Sequence, residues 1–197
     1  MAKNSVFSTH RNQSLYAFLI RLLTTEPSGS ISINIAELSA VFVKKITYLI
    51  IMIISIIPAF IFRNKIKEKL SFKTIIEFAF IFASIPIISP LAWKAYFIFL
   101  WLPYLVIYLI LFRLDYNVSS KKINVMKGMF YCSLILTIFS TEAFTGRYIS
   151  DVLETFGAIT FGTIITNILL VIFHLDYDKI NFKSLVLKKM IFQEKIA

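Results

Sequence analysis

The sequence predicts an all-α integral membrane protein: about five transmembrane helices plus a short N-terminal amphipathic helix lying in the membrane interface. Three observations predict this. Of 197 residues, 58% are hydrophobic and 16% charged, with a mean hydropathy of +0.78, whereas a soluble chain carries about a quarter charged residues. The apolar residues fall in separate runs, most of them near the ~17–25 residues that a helix needs to cross a bilayer. The basic residues gather at the ends of those runs, where they meet lipid headgroups and set orientation.

In chain order, the first element is the interfacial helix. Leu15, Phe18, Leu19 and Leu22 recur at i, i+3, i+4 and i+7, with Asn12 or Ser14 as the N-cap and Arg21 off the apolar face. Five spans follow, at residues 41–62, 74–89, 94–112, 128–144 and 156–175; the second is short unless residues 71–73 join it. Pro58, Pro86 and Pro103 lie inside or near span ends, where neighbouring helices can satisfy the freed carbonyls. The chain therefore divides into an extracytoplasmic tail (1–40), a five-span membrane domain (41–175) and a basic cytoplasmic tail (176–197), with no linker.

Orientation follows from charge. One set of loops, at residues 63–73, 113–127 and 179–195, holds fourteen of the 21 basic residues, and Lys44, Lys45, Lys94 and Arg147 are among the seven on the other side. The positive-inside rule places the C-terminus in the cytoplasm and the N-terminus outside, in a plasma membrane. A net charge of +10 in a soluble protein would suggest nucleic acid; here its distribution makes membrane lipids the partners, and nucleic acid is not expected. Residues 1–40 would cross with no preceding span, so the reading is the later part of a longer membrane protein or, as the alternative, an unusual N-out insertion.

Several polar residues have plain readings. Cys132 is the only cysteine, which rules out an internal disulfide; it reads as a small buried hydrophobe. With two distant histidines it makes no metal-ligand spacing, and neither a metal nor another cofactor is expected. Glu77, the acidic residue nearest the middle of a span, reads as an i, i+4 ion pair with Lys73. Glu142, Arg147, Asp151 and Glu154 read as a solvated outer loop, although two carboxylates near an arginine also suit acid–base chemistry or sugar binding. His10 and His174 read as interfacial residues on opposite sides. Phe112-Arg113-Leu114-Asp115-Tyr116 recurs as Phe173-His174-Leu175-Asp176-Tyr177, a repeated anchoring solution at span exits. The motifs of soluble enzymes are absent.

One break differs in kind. Ser89-Pro90-Leu91-Ala92-Trp93-Lys94-Ala95-Tyr96, followed by Leu102-Pro103, sits between two apolar runs. It serves as a simple helix hairpin anchored by Trp and Tyr, or as a site where Trp93 and Tyr96 stack on a sugar or isoprenoid and Lys94 meets a phosphate as a point charge.

The pattern Ser89-Pro90-x-x-Trp93-x-x-Tyr96 with Leu102-Pro103 resembles a signature of glycosyltransferase family 87. Asn12-Gln13-Ser14-Leu15 with Arg21-Leu22-Leu23 is similar to a second segment of that family, in the same order and one span apart. The resemblance covers most of the chain but only the C-terminal half of a family member. It implies a hexosyl or mannosyl transfer from a polyprenyl-phosphate sugar to a lipid-linked acceptor, by inverting displacement. It implies lipid-linked donor and acceptor as ligands, and a separate N-terminal half as a partner. Gln13, Arg21, Ser89, Trp93, Lys94 and Tyr96 become the expected substrate- or carrier-contacting residues. No catalytic residue is assigned: the family's catalytic carboxylate sits in a first outer loop that this chain lacks, and Ala95 stands where a histidine is often found. Truncated or incomplete activity is therefore expected. The alternative is a non-enzymatic small membrane protein, such as an immunity, exclusion or complex-assembly subunit.

Overall fold

The computed structural model describes residues 9, 11–25, 33–63 and 71–181. His10, the basic residues at 65–69 and nearly all of the expected cytoplasmic tail lie outside them. Among the described residues seven α-helices follow one another: α1 (Leu15–Leu23), α2 (Ala40–Ile61), α3 (Phe72–Ile88), α4 (Trp101–Tyr108), α5 (Ser120–Ile138), α6 (Glu142–Thr155) and α7 (Ala158–Leu175). A 3-10 segment, Lys94–Leu100, leads into α4, and a π turn, Leu109–Arg113, ends it. The serine pattern explains four of the starts. Ser14, Ser39, Ser71 and Ser119 each accept from a backbone N–H in the first turn of α1, α2, α3 and α5, satisfying one of the donors that a helix N-terminus leaves unpaired. Pro103 falls in the first turn of α4, where its missing N–H costs little.

Among the described residues, three helical stretches are long and apolar enough to cross a membrane: Ala40–Ile61, Lys94–Arg113 and Ala158–Leu175. A fourth counts only if α5 and α6, bent by 85° at their junction, form one broken span. These helices are compatible with a membrane location. α3, with 17 residues and a length of about 26 Å, is not among them. The expected fourth span is corrected. The helix begins eight residues earlier, at Ser120, stops at Ile138, and the chain turns before α6. Thr141, Ser140 and the kink at Gly146 (φ 74°) break the apolar run into two directions. The expected solvated loop at 142–154 is thus a helix.

α7 is the central element, with 61% of its apolar window buried, whereas α2 is peripheral at 11%. Between α4, α5 and α7, Tyr104 Oη lies 3.0 Å from Ser133 Oγ and 2.9 Å from Thr137 Oγ1, and Ser133 Oγ donates to the Gly162 carbonyl at 2.7 Å. Small and hydroxyl residues join helices where apolar burial gives no driving force. Gly162 makes the approach possible, since a Cβ there would lie 2.8 Å from Thr137 Cγ2. Cys132 is exposed on α5 rather than buried.

The helices alternate so that the α1 end gathers residues near 12–24, 88–96 and 138–160, and the opposite end gathers those near 72–77, 112–126 and 174–181. At that opposite end a two-residue antiparallel ladder pairs Asp115 with Asn181 and Tyr116 with Ile180. The two similar exit sequences meet there: Tyr116 Oη donates to Asp176 Oδ2 at 2.6 Å, Lys179 Nζ donates to Oδ1 at 2.6 Å, and Lys122 also pairs with Oδ2. Burial alone would raise the Asp176 carboxyl, but the two ammonium groups and the phenol outweigh it and hold it down at about 2. Glu77 bonds His174 Nε2 at 2.9 Å, and the Lys73 ammonium instead sits over the Tyr177 ring. His174 is buried within the protein.

Candidate functional site

The site starts from the docking of the N-terminal segment. Asn12 Oδ1 accepts from the N–H groups of Ser14 and Ala92, and Asn12 Nδ2 donates to the Pro90 carbonyl. Gln13 N–H donates to the Ala92 carbonyl at 2.8 Å, and Ser14 Oγ donates to the Pro90 carbonyl. The Asn12–Ser14 and Pro90–Ala92 segments, some 80 residues apart in sequence, are therefore joined by one backbone–backbone bond and three bonds from the Asn12 and Ser14 side chains to main-chain groups.

Arg21 fixes this arrangement to α6. A helix leaves its last carbonyls without intrahelical partners, and those of Glu154 and Thr155 accept from Arg21 Nη2 and Nε, each at 3.2 Å. Arg21 Nη1 also donates to the Thr9 and Asn12 carbonyls, at 2.9 and 2.7 Å. Gln13 Nε2 adds a bond to the Glu154 carbonyl, and Thr160 Oγ1 at the start of α7 donates to that of Gln13. Burial pulls the Arg21 guanidinium down to about 10, against the pull of the Glu154 carboxylate, so it stays charged at neutral pH. α1 consequently does not lie with Arg21 off its packed face. Leu15, Ala17, Phe18, Ile20 and Arg21 are all buried. Gly157 admits Phe18: its φ is +71°, and a Cβ there would lie 2.6 Å from Phe18 Cδ2.

This frame walls a cleft of about 450 Å³ lined by Thr9, Arg11, Trp93, Lys94, Ala95, Glu142, Asp151 and Glu154. A larger recess, about 840 Å³, lies over the ladder at the opposite end. It is more open, so the cleft, the more enclosed of the two, is the better candidate. In the cleft, Lys94 Nζ pairs with Glu154 Oε1 at 2.5 Å and stands 3.7 Å from Glu142 Oε1. Ser150 Oγ donates to Glu154 Oε1 at 2.8 Å. The Glu154 side chain is almost fully buried, while that of Glu142 is 58% exposed. Trp93 stands open beside them at 59% exposure.

Of the six expected contact residues, Trp93 and Lys94 line the cleft, but Lys94 is held by two carboxylates and is not an isolated point charge for a phosphate. Tyr96 is exposed nearby without lining it. Ser89 folds its hydroxyl onto the Leu91 carbonyl at 2.6 Å and shapes the turn. Gln13 and Arg21, each 1% exposed, brace the frame from behind. Arg11 and Thr9 were not singled out from sequence, and no residue pattern marks them. Glu154 reads from sequence as part of a solvated loop, and its burial against Lys94 depends on α6 folding. Compared with known proteins, the chain matches no family model, no curated protein and no solved structure.

Proposed function

We propose that this chain is a membrane-embedded sugar-handling protein that holds the hexose of a lipid-linked donor in the cleft at the α1 end, in the manner of the C-terminal half of a family 87 glycosyltransferase. The observation that carries the reading is the meeting of the Asn12–Ser14 and Pro90–Trp93 segments beside one cleft, which Trp93 lines. The lining chemistry supports it. An exposed indole presents an apolar face to a sugar ring, and Glu142 and Asp151 supply oxygens that accept from hydroxyls. Arg11 at the rim supplies a fork suited to a phosphate. Glu154 already accepts from Lys94 and Ser150 on one oxygen, so it orients Lys94 rather than serving as a base. The chain is then the binding half of a transferase, the base coming from a separate N-terminal half.

The test is photo-cross-linking of the purified full chain with a short-chain polyprenyl-phosphate hexose bearing a diazirine on the sugar. Labelled peptides should contain Trp93 or residues 142–151, and Trp93→Ala should lose the label. The second reading, a non-enzymatic membrane subunit, rests on the exposure of Trp93 and Tyr96. It expects no labelling and a co-purifying protein that is lost in the Trp93→Ala/Tyr96→Ala double variant. Labelling spread evenly over α2 and α4 would refute the cleft reading.

A further inference from the structure

The seam between α2 and α3 carries a second site, independent of the cleft and sharing none of its lining. A hollow of about 360 Å³ bordered by Tyr16, Lys44, Thr47, Tyr48, Ile51 and Ile88 opens at the α1 end. A second, of about 490 Å³, is bordered by Ile54, Ser55, Pro58, Phe62, Ile85 and Ile88. Ile88 belongs to both, and Ile51, Ser55, Pro58 and Phe62 follow on successive turns of α2. The two therefore form one slot running from Lys44 to Phe62, about 27 Å of helix. α2 scarcely closes it, since Val43, Thr47 and Pro58 are its only buried residues. The slot is apolar along its length and cationic at one mouth. Lys44 and Lys45 make no ion pair among the described residues, and the Lys44 ammonium stands 5.8 Å from the Tyr48 ring centroid.

We propose that this seam binds one anionic glycerophospholipid, its phosphate on Lys44 and an acyl chain along the slot. The layering decides the occupant. A cation beside a tyrosine at headgroup level, above an apolar slot of membrane length, complements a lipid that is anionic at one end and apolar over the rest. A second copy of the chain, related by a two-fold axis along the helices, would instead set its own Lys44 and Lys45 at the same level with no countercharge.

The test is native mass spectrometry of the full chain released from detergent micelles with dioleoyl phosphatidylglycerol or dioleoyl phosphatidylcholine. One phosphatidylglycerol adduct should survive activation that strips phosphatidylcholine. Lys44→Ala should cut its occupancy about fivefold, the effect of one lysine near an anionic lipid surface. Lys127→Ala, at the opposite end, should leave it unchanged. Ser55→Trp, which fills the slot without touching Lys44, should remove the adduct; if that variant does not fold, the two lysine variants decide. Equal retention of both lipids, equal losses in the two lysine variants, displacement by inorganic phosphate, or a lipid-free dimer would each overturn the proposal. None of these outcomes bears on sugar binding in the cleft.

Discussion

The two ends of the bundle each bury a charge, and they satisfy it in opposite ways. At the ladder end the buried group is an anion: Asp176 is met by the side chains of Lys122, Lys179 and Tyr116. At the α1 end it is a cation, beside the buried Glu154: Arg21 is met by main-chain carbonyls from two stretches of chain, at 9–12 and 154–155. The side-chain solution saturates a carboxylate and leaves nothing over. The main-chain solution ties α1 to residues 9–12 and to the end of α6, beside the cleft that Glu142 and Asp151 line. An arginine that caps a helix C-terminus is a fastening; an aspartate with three donors is an anchor.

The largest effect should come from breaking the fastening. Arg21→Met leaves four carbonyls without this donor, and charge-assisted bonds are worth about 1.5–3 kcal/mol each, offset in part by relaxation. A loss of about 3–5 kcal/mol should appear as a much lower thermal midpoint in detergent, and Arg21→Lys, which keeps the charge but not the fork, should fall between. A loss no larger than that of Asp176→Asn would erase the contrast between the ends.

The anchor comes next. The Asp176 carboxyl lies at about 2 in the fold against an ordinary value of 3.8. Its folded value is depressed, so its contribution is fully present above pH ~4 and fades as pH falls toward 2, a window worth about 2 kcal/mol. Asp176→Asn should lower the midpoint at pH 6 and flatten its fall between pH 4 and 2; an unchanged acid limb would remove the anchor's role.

Gly157→Ala tests how α1 is seated. The added Cβ meets Phe18, and the backbone is left-handed there, so a loss of about 1–3 kcal/mol is expected, with faster proteolysis in residues 11–25. Trp93→Ala should change stability least, within about 0.5 kcal/mol as for exposed sites, while lowering affinity for a hexosyl ligand. A stability loss comparable to that of Gly157→Ala would make Trp93 part of the frame instead of the cleft.

Much of the frame is legible in sequence because periodicity and capping are local. The apolar residues at i, i+3, i+4 and i+7 and Ser14 announce α1, and the apolar runs locate α2, the Lys94–Arg113 stretch and α7 to within a few residues. What the sequence hides is set by partners far along the chain. Arg21 looks like a polar-face residue until the carbonyls at the end of α6 are brought to it. Glu154 looks solvated because the helix that buries it begins in a polar run and kinks at Gly146. Glu77 sits beside Lys73 in sequence, yet His174, 97 residues away, takes its carboxylate. The turn at Ser89–Tyr96 is legible as a turn; its contact with Asn12–Ser14 rests on the Asn12 and Ser14 side chains bonding main-chain groups about 80 residues away, partners that no local pattern records.

The most direct measurement is calorimetric titration of the full chain in detergent with a short-chain polyprenyl-phosphate hexose and with the same lipid phosphate lacking the sugar. Wild type should bind the sugar-bearing lipid up to about tenfold more tightly, the reach of one aromatic stacking contact, and Trp93→Ala should erase that preference. Equal affinity of wild type for the two lipids would contradict a sugar site in the cleft.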